Sequence, residues 1–197
     1  MDPSLFYRPG ALLSQQELGA ARLDGLLVEV GEGYMPADLP EDAGARAAAL
    51  SPIISPGYAA SGPTAAWVHG VGGTPPARHH TRRAVDRRPR IDQRRDVIAH
   101  EGRVPRSDLI VFGAIPVTTP LRTLTDLVLM SGRYRECAVW MPEMAAVFPS
   151  LVPQVQTLLA ARSRLPGKRA AMSTIADLLV LAACERASQD EVTLRTT

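Results

Sequence analysis

Proline and glycine punctuate this chain so densely that it must fold through many turns. Seventeen prolines and 15 glycines are spread over 197 residues. Each proline fixes the backbone, and each glycine frees it, where a helix or strand would otherwise continue. Only 5% of the residues are aromatic, so the core has to be built from Ala, Leu and Val. A 46% hydrophobic and 21% charged chain is neither a disordered tail nor a collagen-like polymer. No uninterrupted apolar run reaches the roughly 18 residues of a membrane span. The opening MDPSLFYRPG lacks the basic-then-apolar pattern of a secretion signal. Two isolated cysteines, Cys137 and Cys184, suit neither a disulfide framework nor a zinc site. A reduced, cytoplasmic protein with no membrane partner is expected.

Between the breaks, local patterns predict short elements. Ser14-Gln15-Gln16-Glu17 fits a capping box, opening a helical stretch that Gly19 and Gly25 should divide into two short helices. Leu26–Val30 is β-like, Gly31-Glu32-Gly33 a turn, and Tyr34-Met35 a return strand. Two helices and a hairpin outline an abbreviated winged helix–turn–helix over residues 1–40. Beyond an acidic linker, Ala43–Leu50 reads as helix, Pro52–Gly62 as a turn region with room for one short strand at Ile53-Ile54, and Pro63–His69 as a helix closed by Gly70. Strand fragments are expected around Thr81–Val85, Ile91, Val97–His100, Asp108–Phe112 and Ile115–Thr118. Thr119-Pro120 then starts a helix with Leu121, Leu124, Leu127 and Val128 on its apolar stripe. Helices follow at Arg135–Met141 and Met144–Phe148, broken by Pro142, and at Leu151–Ala161 and Ser173–Arg186. The expected fold class is α+β: a small N-terminal winged helix–turn–helix, then a larger mixed α/β domain over residues 47–197.

Charge is segregated along the chain. Residues 1–77 carry eight acidic against three basic residues, a net of −5, while residues 78–106 carry ten arginines against four acids, a net of +6. Arginine supplies all basic residues except Lys168. The planar guanidinium fork matches phosphate and carboxylate geometry better than a lysine point charge does.

Three blocks carry a resemblance. They are the short helix–turn–helix with its wing from Leu13 to Met35, the small-residue segment Ser61-Gly62-Pro63-Thr64-Ala65-Ala66-Trp67-Val68-His69-Gly70, and the junction Ile115-Pro116-Val117-Thr118-Thr119-Pro120-Leu121-Arg122-Thr123-Leu124-Thr125-Asp126-Leu127. With the helical tail, their order resembles the AbiEi-type antitoxins of type IV toxin–antitoxin systems, in the actinobacterial branch. The resemblance implies an N-terminal module that binds operator DNA and a larger domain that neutralises a cognate nucleotidyltransferase-like toxin by protein–protein binding. Some related chains continue into a restriction-endonuclease-like domain, and Ser188–Arg195 resembles the helix that opens it. The carboxylate and lysine cluster of such a nuclease does not carry over.

A winged helix–turn–helix reads DNA with its second helix in the major groove, which marks Gln15, Gln16 and Arg22 as candidate DNA contacts. Against this, the acidic balance of residues 1–77 fits a module turned to dimerisation or partner docking. The basic run supplies Arg78, Arg82, Arg83, Arg87 and Arg88 as candidate DNA-backbone contacts. Arg90, Arg94 and Arg95, with Arg122 further on, are candidates for binding the protein partner. The bland alternatives are a solvated hairpin or loop for the run, in which Asp86, Asp92 and Asp96 pair with arginines, and an i,i+4 Arg122–Asp126 bridge that only pins a helix. His79-His80 has no further ligand at metal spacing, and His69 and His100 have no nucleophile and orienting acid beside them. No catalytic residue, metal, cofactor or small-molecule substrate is expected. A stand-alone DNA-binding transcriptional regulator and an inactive remnant of an endonuclease-domain protein are the competing readings.

Overall fold

A computed structural model describes residues 5–86, 95–163 and 166–180. The chain is mixed α+β and divides into two compact units, Met1–Thr119 and Pro120–Thr197.

The first unit begins with α1 (Gln15–Leu23) and the antiparallel hairpin of β1 (Leu27–Val30) and β2 (Gly33–Pro36). The expected capping box is present. The Ser14 hydroxyl accepts from the Glu17 amide at 3.3 Å, and Glu17 Oε2 accepts from the Ser14 amide at 2.7 Å. The two-helix expectation fails here, because α1 runs unbroken through Gly19. An internal glycine costs about 1 kcal/mol, and Leu18 offsets it by packing with Leu27 and Tyr34, flanked by Tyr7, Leu13 and Ala21. Tyr7 adds a single bridge on the far side of β2: its amide donates to Tyr34 O at 2.8 Å and its carbonyl accepts from the Tyr34 amide at 2.9 Å. Gly33 makes this possible, since a Cβ there would overlap the Phe6 ring.

After α2 (Ala43–Ala49), the second sheet follows. Its strands are β3 (Tyr58–Ala60), β4 (His79–Arg83), β5 (Val97–Arg103), β6 (Leu109–Phe112) and β7 (Ile115–Thr118), in the order β5-β4-β3-β7-β6. The β3–β4 and β6–β7 pairs are antiparallel, and the β4–β5 and β3–β7 pairs are parallel. Ile53-Ile54 lie in a turn, as the reading of Pro52–Gly62 as a turn region expects, and the short strand it left room for does not form there. Both residues are buried, so their apolar character serves the core while the ladder starts at Tyr58. Between β4 and β5 the register slips: Arg82 stands opposite His100 but Arg83 stands opposite Arg103. Glu101 and Gly102 are thereby bulged out, with Gly102 at φ +95°, a conformation that favours glycine.

Helix α3 (Gly62–Val68), between β3 and β4, is buried at every position. Its Trp67 is the largest fully buried side chain described. Arg46 of α2 braces it, donating through Nη1 to Trp67 O at 2.7 Å and Gly72 O at 3.0 Å while its guanidinium lies 5.5 Å from the Trp67 ring.

The second unit holds α4 (Pro120–Met130), α5 (Arg135–Val147), α6 (Leu151–Ala161) and a helix over 168–180. The break expected at Pro142 does not occur, and α5 continues through it. An internal proline costs a helix about 3 kcal/mol. Burial of Cys137, Met141, Met144 and Ala145 along one face holds the helix together across it. Cys184 and Ser188–Arg195 lie outside the described residues.

Candidate functional site

The strand pair β4–β5 gathers the chain's densest chemistry. Side chains alternate across a strand, so His80 and Arg82 share one face of β4, and His79, Thr81 and Arg83 share the other. On β5, Ile98 and His100 stand opposite His80 and Arg82. Two imidazoles twenty residues apart therefore meet diagonally. His100 Nε2 and His80 Nδ1 lie 2.9 Å apart, with ring centroids at 4.9 Å, and both residues are buried. One ring nitrogen donates and the other accepts, so these two atoms share one proton between them. The β4 backbone is tied to the start of α3, where the His80 amide donates to Thr64 Oγ1 at 2.7 Å and His80 O accepts from the Ser61 amide at 3.0 Å. The sequence singles out His80 and His100 without joining them. No spacing along the chain signals this meeting, because it depends on the pairing of β4 with β5.

Around this core lie the guanidinium groups. Arg78 and Arg95 are exposed at the entrances to β4 and β5, Arg103 is exposed at the end of β5, and Arg106 is exposed in the 3-10 turn Arg106–Asp108. Arg82 and Arg83 are half-buried, and Arg82 Nη1 donates to Glu101 O at 3.0 Å across the bulge. Asp86 pairs with Arg103 at 2.7 Å, as the interleaving of acids and arginines suggested. Asp96 contributes its backbone, its carbonyl accepting from the His79 amide at 2.7 Å. Arg87, Arg88, Arg90, Arg94 and Asp92 lie outside the described residues. Beneath the opposite face, Ile53, Ser55, Tyr58, Thr81, Val97 and Ala99 line a cavity of about 10 Å³, room for about one water molecule.

The helix–hairpin of residues 5–40 offers different groups. Gln15 Nε2 donates to the Tyr34 hydroxyl at 3.0 Å, so this side chain braces the hairpin. Gln16 and Arg22 are exposed on α1. Around them Glu17, Asp24, Glu29, Glu32 and Asp38 are also exposed. Backbone and hydroxyl hydrogen bonds from Ser14 hold the Glu17 carboxyl below its ordinary pKa.

His69, at the end of α3, donates through Nε2 to Thr118 O at 2.7 Å, the carbonyl being able only to accept. Burial pushes its pKa below the ordinary histidine value. The neutral ring is then a structural tie between α3 and β7. In the second unit Arg122 Nε donates to Asp126 Oδ1 at 3.0 Å, with the Asp126 side chain 2% and the Arg122 side chain 18% exposed. This places the pair inside the packing of α4, apart from the strand-borne arginines in sequence.

Among the described residues no group of three or more His, Cys, Asp or Glu side chains is arranged to hold a metal ion, and no helix is long and apolar enough to cross a membrane. Compared with known proteins, the chain matches no family model and no curated protein.

Proposed function

We propose that this chain is a macromolecule-binding protein of the antitoxin type. It neutralises a nucleotidyltransferase-like partner by covering it, makes and breaks no covalent bonds itself, and contacts operator DNA through the arginines of β4, β5 and their flanks. The observation that carries the reading is the charge of that strip. Six described arginines between residues 78 and 106 face three described acids; Arg82, Arg83 and Arg103 lie on two strands whose backbone is fixed within a five-stranded sheet, and Arg78, Arg95 and Arg106 flank them. Phosphate neutralisation by guanidinium groups supplies most of the affinity in nucleic-acid binding, and a rigid strand presents such groups at fixed spacing.

The segment that resembles the antitoxins most closely, Ile115 to Leu127, runs as β7 and then α4, which is compatible with the strand-to-helix junction the resemblance implies. The helix–hairpin of α1, β1 and β2 supports an abbreviated helix-and-wing outline, with one α-helix among residues 5–40. In this reading its acidic surface serves a protein partner. A stand-alone DNA-binding regulator is the second reading, favoured by the same arginine strip.

Two experiments test the proposal. Co-expression with the product of the neighbouring gene relieves growth arrest if the chain is its antitoxin; arrest that persists beside soluble chain rejects that role. An electrophoretic shift on upstream DNA with a steep salt dependence supports the nucleic-acid contact, and a shift without relief of arrest selects the regulator.

A further inference from the structure

Among the described residues β1 pairs only with β2, and no strand pairs with its outer edge. The hydrogen-bond pattern shows which of the β1 backbone groups face away. The Tyr34 amide and carbonyl are both engaged by Tyr7 on the far side of β2, so the opposed pair Glu29–Tyr34 exchanges no hydrogen bonds. Leu27, two residues away, stands opposite Pro36, which has no amide to give. Antiparallel ladders alternate between bonded and non-bonded pairs. The N–H and C=O groups of Leu27 and Glu29 therefore point outward, away from β2.

The side chains at this edge set what can pair with it. Leu26 and Val28 lie on one face and are 66% and 39% exposed, with Leu23 at 80% just before them. Asp24, Glu29 and Glu32 are exposed in the same eleven-residue stretch, which holds one arginine, Arg22, at its start. A second copy pairing symmetrically would bring these carboxylates against each other, and like charges across paired strands are destabilising. A nucleic acid backbone would meet the same repulsion. An extended polypeptide that alternates apolar with basic side chains meets none of it. Its main chain completes the ladder, its apolar residues cover Leu26 and Val28, and its cations face Glu29, Glu32 and Asp24.

We infer that β1 is a strand-addition site for an extended basic–apolar segment of a partner protein. The mode is β-augmentation, in which main-chain hydrogen bonds give affinity and flanking side chains give selectivity. The site stands on the edge geometry and its charge alone, so it survives a failure of the antitoxin reading and fails separately from it.

The test uses the full chain and a fluorescein-labelled hexapeptide, Lys-Val-Arg-Val-Lys-Val, with an acidic counterpart carrying Glu at the charged positions. At low salt the basic peptide should bind at least about tenfold more tightly than the acidic one, and added salt should narrow the gap. Glu29→Pro removes an outward amide without removing a β1–β2 hydrogen bond, and should weaken binding about tenfold. Glu29→Gln keeps the amide and should weaken it only about two- to threefold. Amide exchange in the unaltered chain gives an independent readout, because bound peptide should slow exchange at Leu27 and Glu29. Equal affinity for both peptides overturns the proposal, as does unchanged exchange at those amides. So does a self-associated dimer that Glu29→Pro dissociates, since a second copy would then own the edge.

Discussion

The helix–hairpin of residues 5–40 and the strand pair β4–β5 belong to the same compact unit, yet they meet solvent with opposite chemistry. The hairpin carries exposed carboxylates at Glu17, Asp24, Glu29, Glu32 and Asp38, and leaves Leu12, Leu23 and Leu26 largely uncovered. The strand pair carries exposed guanidinium groups and hides its histidines. A helix with a wing suggests DNA by outline, but its charge opposes a polyanion. A parallel strand pair suggests nothing by outline, and its charge favours one. Where shape and charge disagree, long-range electrostatics decides which class of macromolecule can approach.

The sharpest way to break this contrast is to reverse the charge of the strip. Replacing Arg78, Arg95, Arg103 and Arg106 with Glu should lower affinity for a random DNA duplex by more than about 100-fold at low salt and flatten its salt dependence. Glu29→Lys with Glu32→Lys in the hairpin should change it less than about threefold in either direction. Filter-binding titrations at several salt concentrations read both. If the hairpin variant moves DNA affinity as much as the strip variant does, the division of labour is wrong.

A packing change sharpens the comparison next. Gly33→Ala forces a Cβ into the Phe6 ring and should cost about 2–3 kcal/mol in urea denaturation, with DNA affinity of the folded protein unchanged. His69→Ala removes the donor to Thr118 O and should cost about 1–2 kcal/mol on the β7 side of the sheet. The same histidine gives a pH dependence. The unfolded chain takes up its proton near 6.5, whereas burial delays uptake in the folded one. The unfolded state then binds more protons, and stability falls as the pH drops below about 6.5. His69→Ala should abolish that component in melting curves recorded between pH 7 and 5. The smallest effect is expected at Gln15. Gln15→Ala loses one hydrogen bond to Tyr34, about 0.5–1 kcal/mol, and leaves DNA affinity where it was. A clear drop in DNA binding would restore α1 as a reading helix.

Much of the fold was legible because its signals are local. Ser14 and Glu17 announced the start of α1, Gly31 and Gly33 the hairpin turn, and Pro63 and Gly70 the limits of α3. The misreadings share one cause. Gly19 and Pro142 oppose helix locally, and in each case burial of neighbours, Leu18 or Met141 and Met144, outweighs the local cost. Ile53 and Ile54 look like strand because they are apolar and β-branched, but burial within a turn satisfies them equally well. At the candidate site, the arginine density was visible as composition. The meeting of His80 with His100 was not, because it depends on the pairing of β4 with β5, which no spacing along the chain encodes. The bracing role of Gln15 likewise depends on Tyr34, nineteen positions away.

The slip between Arg82 and Arg83 on one side and His100 and Arg103 on the other has a consequence for length variation. Two residues are one full up–down repeat of a strand, so removing Glu101 and Gly102 together, or adding another such pair, leaves each later side chain on its original side. Changing the length by one would invert the phase. It would turn the fully buried Val104 outward and drive the neighbouring cation Arg103 into the interior. This stretch therefore works as a joint that tolerates even steps and forbids odd ones.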